Sequence, residues 1–140
     1  MAKVVDKSIK IDKDNISQSS TRYSLSRQLI LDVLKNCRDH PTADVVYSRV
    51  REVKKNVSLG TVYRNLKLIS NENKVQTLET IDKKIHYDGD MSAHSHFICK
   101  KCGKIIDLNI KKHKPKELKD LGLYVEDEKC IYYGICNECK

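Results

Sequence analysis

The sequence predicts an α+β fold in two parts: an N-terminal winged helix-turn-helix and, after a short hinge, a small α/β unit. Three observations carry this prediction. Three consecutive stretches repeat apolar residues at helical spacing, two short β-prone runs around a polar connection follow the third, and beyond Gly89 strand-like segments alternate with paired cysteines. At 140 residues the chain has room for one ordinary domain or two small ones, and small units gain from a covalent or metal staple.

Residues 1–20 are polar, rich in Lys, Asp, Ser and Asn, and are expected to form a flexible arm. The winged-helix unit is expected over residues 21–88. Its first helix starts at Ser24 as N-cap and carries Leu29, Ile30, Val33, Leu34 and Cys37 on one face. The break "RDHP" follows, where Pro41 is expected to drive His40 into extended backbone. Thr42 caps a second helix with a stripe of Val45, Val46, Val50 and Val53; Ser58 caps a third with Leu59, Val62, Leu66 and Ile69. The segment "KVQTLETIDKKIHYD" then reads as a hairpin, the wing. "GDMS", residues 89–92, supplies a hinge. The second unit, residues 93–140, holds strands in "HSHFIC" and "KIIDLNI", a short helix near Pro115 to Leu121, and a final strand pair in "LYVEDEKCIYYGIC".

A net charge of +8 permits a polyanionic partner, most simply nucleic acid, although a basic surface alone is equally compatible with plain solvation. No run of about 18 apolar residues occurs, and the start of the chain has no apolar signal-like region. Neither secretion nor membrane insertion is indicated, and a cytoplasmic location is expected. There, clustered cysteines read as metal ligands rather than as disulfides.

Cys99 and Cys102 form one C-x-x-C, and Cys136 and Cys139 another. Two such knuckles complete a tetrahedral four-sulfur zinc site with no open position, which makes the ion structural. A redox dithiol is the competing reading, but no βαβ context surrounds either pair. Cys37 and Cys130 stand apart and read as buried small hydrophobes.

His94 and His96 are then left over. At i, i+2 on a strand their imidazoles share a face, with Asp88 just before the hinge and Asp107 at the end of the next strand. Mixed imidazole and carboxylate donors suit Fe(II), Mn(II) or Zn(II). On the third helix Thr61, Arg64, Asn65 and Lys67 form a polar face, with Ser58 at its start, Tyr63 at its margin and Leu68 interrupting it. Such a face suits base edges and phosphates, and Lys83 and Lys84 at the hairpin tip are placed to reach a further phosphate. No nucleophile motif and no general-base glutamate beside H-x-H is present, so an enzyme is not expected.

"HPTADVVYSRV", "VSLGTVYRNLKLISNENKV", "HSHFICKKCGKIIDL" and "YYGICNEC", in this order, resemble the ferric uptake regulator superfamily from about Thr21 to Lys140, and most closely its peroxide-sensing PerR branch. The resemblance implies a homodimeric, metal-dependent transcriptional regulator, the second unit serving dimerisation and the first binding palindromic operator DNA, most often as a repressor. It also implies a regulatory Fe(II) or Mn(II) site of His40, Asp88, His94, His96 and Asp107, beside one structural Zn(II) per subunit on the four cysteines. By the same resemblance His40 and His94 are the candidates for oxidation by peroxide at bound iron, which would release DNA. A sister regulator that reports Fe(II) or Zn(II) itself is the alternative reading. A zinc-bearing thiol redox protein is a third.

Overall fold

The computed structural model of the chain describes residues 22–110 and 115–140, and the arm expected over residues 1–20 lies outside them. The described residues up to Glu79, with Lys84–Met91, form one compact unit; Thr80–Lys83 with Ser92–Lys140 form a second.

The first unit is built on α1 (Arg22–Lys35), α2 (Ala43–Val53) and α3 (Leu59–Asn71), followed by the antiparallel strands β1 (Gln76–Glu79) and β2 (Ile85–Asp88). Its core is the apolar side of the three helices: Ile30, Leu34, Val46, Val50, Val62, Leu66 and Ile69 have no exposed surface. Burying each such side chain contributes about 1.5–3 kcal/mol. The helices differ from the sequence expectation at their margins. α1 already runs through Ser24, which therefore is not its cap: apolar spacing fixes which face is buried, not where the first turn begins. Val45 lies off the buried stripe and Val53 and Leu59 sit at helix ends, so all three are exposed, while Ala43 is buried. Thr42 takes cap geometry without a side-chain bond, whereas Ser58 Oγ accepts the Thr61 N–H at 3.1 Å. Such a bond is worth about 1 kcal/mol.

In the hairpin, Gln76 stands opposite Asp88 and Glu79 opposite Ile85. Gly89 follows directly. A Cβ there would lie 2.6 Å from the carbonyl carbon and oxygen of Leu34, so only glycine lets the chain leaving β2 pass the C-terminal turn of α1.

The second unit is a three-stranded sheet of β3 (Ser95–Cys99), β4 (Ile105–Leu108) and β5 (Ile131–Gly134), with the short helix α4 (Lys116–Asp120) between the last two. β3 is central, antiparallel to β4 and parallel to β5. The final strand pair expected after α4 is a single strand. Residues 123–130 are irregular, and Leu123, Tyr124 and Val125 are exposed, because a β-prone segment stays irregular where no ladder partner lies alongside. Cys130 accordingly precedes β5 rather than lying within a strand, and is half-buried. Among the described residues no helix is long and apolar enough to cross a membrane.

Candidate functional site

The parallel alignment of β3 and β5 sets Cys99 opposite Gly134, so both strands run toward the same end and each terminates in a cysteine knuckle. The four sulfurs of Cys99, Cys102, Cys136 and Cys139 gather within 4.8 Å of one another, and Cys102 Sγ lies 3.8 Å from Cys136 Sγ. Tetrahedral zinc with bonds of about 2.3 Å requires sulfurs about 3.8 Å apart, so the cluster fits that ion. The backbone is shaped for it. Gly103, in the left-handed region at φ 73°, closes the first turn by donating to Cys99 O at 3.0 Å, and Cys139 N–H donates to Cys136 O at 3.0 Å in the second. Cys99 Sγ accepts the Cys102 and Cys136 N–H groups at 3.5 and 3.4 Å, which brings its thiol down to about 6. Cys139, surrounded by the Cys136 and Cys102 sulfurs, is pushed up to about 12. Four thiols without a cation cannot all ionise together, and a divalent ion is what relieves that conflict. Lys104 Nζ bridges to Glu138 at 2.7 Å and ties one knuckle to the other.

The same sheet carries a second donor set. His96 faces Asp107 across the β3–β4 ladder, with Nε2 3.3 Å from Oδ1; His94 Nε2 lies 3.7 Å from that oxygen and 3.0 Å from His96 Nε2. His94 Nδ1 donates to Ser92 O at 2.8 Å, which fixes the tautomer and leaves a lone pair on Nε2 aimed at the other donors. Both imidazoles are buried. Two nitrogens and a carboxylate oxygen converging this closely, with one tautomer set by a backbone carbonyl, fit a divalent cation of intermediate hardness.

In the first unit, His40 Nε2 lies 3.5 Å from Asp88 Oδ2, and both residues are buried. Asp88 Oδ1 accepts the Asp90 N–H at 2.9 Å, which orients the carboxylate. His40 is not extended, as its neighbour Pro41 led us to expect, but left-handed at φ 49°. A non-glycine residue there costs on the order of 1–3 kcal/mol, and the contacts around it show what holds it. Asp39 is gripped by the fork of Arg49 on α2, whose guanidinium keeps the carboxyl below its ordinary range. On the other side Tyr87 N–H donates to Pro41 O at 3.0 Å, and His86 Nδ1 donates to His40 O at 2.6 Å.

Ser58, the cap of α3, and Tyr63, Arg64 and Lys67 on the helix are exposed, and Thr61 is half-exposed. Arg64 bonds Thr61 Oγ1 at 3.3 Å, and Lys83 and Lys84 are exposed in the hairpin turn. Asn65 is a correction. It lies on the buried side with Val62 and Leu66, has no exposed surface, and donates Nδ2 to Thr61 O at 2.8 Å, so it is not available to a partner. A groove between α3 and the hairpin is lined by Tyr63, Arg64, Lys67, Ser70, Thr77 and Tyr87.

Comparison with known proteins decides the family. The model of the ferric uptake regulator family matches residues 18–133. The chain belongs to the ferric uptake regulator family. It is 33% identical over 133 residues to the peroxide operon regulator of Bacillus subtilis, covering 90% of this chain and 89% of that one. It is 32% identical over 133 residues to the peroxide-responsive repressor PerR of Staphylococcus epidermidis, covering 90% and 86%. Among solved structures, the Campylobacter jejuni peroxide stress regulator superposes with a TM-score of 0.72 at 30% identity, over 84% of this chain and 90% of that one.

In this ferric uptake regulator chain, sequence reasoning passed over the residues that support His40. These are Asp39, Arg49 and His86. Strand alternation was the available signal: His86 and Asp88 stand at i, i+2 on β2 and so share a face, while Thr42 bridges to His86. Tyr87, in the groove, carried no signal of its own.

Proposed function

We propose that the chain is a metal-dependent, peroxide-responsive transcriptional regulator, most simply a repressor, that binds palindromic operator DNA as a homodimer. In this reading residues 21–88 are a winged helix-turn-helix, residues 89–92 a hinge, and residues 93–140 the dimerisation unit. The carrying observation is that each unit holds an incomplete donor set of the same chemistry: His40 with Asp88 in one, His94 with His96 and Asp107 in the other. His40, Asp88, His94, His96 and Asp107 would together hold one Fe(II) or Mn(II) and so link the two units, and the four cysteines would hold a separate structural Zn(II).

The metal then acts as a control through differential affinity: it favours whichever arrangement of the units lets all five donors reach it. In a dimer that arrangement sets the spacing of two α3 helices, which must enter major grooves about one helical turn apart or a multiple of it. Ser58, Thr61, Tyr63, Arg64 and Lys67 are the contacts on α3, with Lys83 and Lys84 on flanking phosphate; the burial of Asn65 removes it from this set. The exposed Leu123, Tyr124, Val125, Tyr132 and Tyr133 of the second unit supply apolar surface for a second copy.

Fe(II), when bound, would supply the redox chemistry by which peroxide gives one oxygen atom to a ligand imidazole and the other to water, whereas Mn(II) would offer similar coordination without it. His40 and His94 are the imidazoles concerned. An oxidised ring is a poor donor, so the link between the units fails and DNA is released. The B. subtilis and S. epidermidis relatives, named for their response to peroxide, support this over reporting of Fe(II) or Zn(II) supply. The test is operator release, followed by fluorescence anisotropy, on adding peroxide to Fe-loaded and Mn-loaded protein. Release from the Fe form alone supports the proposal; equal behaviour of the two forms contradicts it.

A further inference from the structure

We infer that His86 is a positioning residue that sets where the His40 imidazole stands, by holding the His40 carbonyl while the residue occupies its left-handed conformation. The inference rests on the reading of His40 as a metal ligand given above. Three successive residues of β2 address the same short segment. His86 Nδ1 donates to His40 O at 2.6 Å, Tyr87 N–H donates to Pro41 O at 3.0 Å, and Asp88 Oδ2 lies 3.5 Å from His40 Nε2.

The segment needs such a hold. His40 has φ 49°, which a side chain with a Cβ resists, and the proline after it restricts the same residue further. Rotation about φ and ψ of His40 swings the imidazole, so relaxation to an ordinary conformation moves Nε2 away from Asp88. Asp39, gripped by Arg49, fixes the chain before His40, and Tyr87 fixes it after. The His86 bond acts on the carbonyl of His40 itself. Nδ1 holds the His40 carbonyl, and among the described residues the ring is not one of the gathered donors, so its part is to orient a ligand.

Asparagine and glutamine separate this role from others. At position 86, Asn carries an N–H donor close to where Nδ1 stands, whereas Gln carries it about one bond further out, where Nε2 stands. Mn(II) affinity of the zinc-loaded protein is measured by calorimetry for His86→Asn, His86→Gln and His40→Ala, and hydrogen exchange of the Tyr87 amide is followed in protein without Mn(II). The expected result is that His86→Gln weakens Mn(II) binding by about ten- to a hundredfold and speeds Tyr87 exchange, while His86→Asn stays within about threefold of wild type in both. Unchanged affinity in His86→Gln, or equal losses in both position-86 variants, overturns the inference while a loss in His40→Ala keeps the ligand reading. Unchanged affinity in His40→Ala overturns that reading itself.

Discussion

The Nε2 atoms of His94 and His96 face each other 3.0 Å apart, with Asp107 Oδ1 within 3.7 Å of both. Since Ser92 O accepts the hydrogen bond of His94 Nδ1–H, this Nε2 carries a lone pair directed at a crowded point that a cation relieves. His96→Ala is therefore expected to lower Mn(II) affinity at least about 100-fold. Zinc content by elemental analysis should stay at wild-type level, because the four sulfurs form a separate cluster. Joint loss of both metals would show the two sites to be one.

Arg64 and Asn65 are neighbours in sequence with opposite surroundings: the first is exposed on α3 and the second wholly buried. Arg64→Ala should weaken operator binding and reduce the salt slope by about 1, with stability unchanged within about 0.5 kcal/mol. Asn65→Ala should lose about 1–2 kcal/mol of stability at an unchanged salt slope, since it removes buried packing and the bond to Thr61 O. Salt titrations by anisotropy and denaturant melts read both.

Gly89 has less room for a Cβ than Gly60, the other glycine of the first unit. Gly89→Ala forces a methyl to within 2.6 Å of the Leu34 carbonyl and must push β2 and α1 apart. A cost of about 1–3 kcal/mol in thermal melts is expected, together with weaker Mn(II) binding, because Asp88 immediately precedes the glycine. An unchanged melting temperature would count against this packing.

Cys37 is predicted to be inert. Its thiol donates to Leu34 O at 3.4 Å, and burial, followed by the Asp39 charge, pushes it from 9.0 up to about 11. The thiolate fraction near neutral pH is then about 100-fold below that of an ordinary thiol, and alkylation of the Cys37 peptide should slow in proportion on folding. Mass-spectrometric labelling with iodoacetamide, with and without denaturant, reads this directly. Equal rates would contradict it.

How far the sequence could be read follows from which interactions are local. The three helices, the hairpin and both knuckles rest on spacing within a few residues, so their places could be named in advance, whereas the Ser24 cap and the exposure of Val45, Val53 and Leu59 could not. Asn65 was misassigned because, on the helical wheel, a polar residue beside Val62 and Leu66 looks like the edge of a solvent face. Its full burial emerges only in the folded unit. The left-handed His40 was hidden for the same reason: Pro41 argues locally for extension, and the contacts from β2 that override it come from 46 residues along the chain. Residues 123–130 read as a strand because β propensity carries no information about whether a partner strand is present.

The most direct test of one metal shared by both donor sets is where peroxide places its oxygen. Fe-loaded protein is exposed briefly to peroxide, digested and examined by mass spectrometry, with Mn-loaded protein alongside. The account predicts one added oxygen on the His40 peptide or the His94 peptide in the Fe form, neither in the Mn form, and loss of the His94 product in Asp88→Ala although Asp88 belongs to the other unit. Oxygen found on the peptides of Cys99, Cys102, Cys136 and Cys139, with both histidines intact, would contradict it.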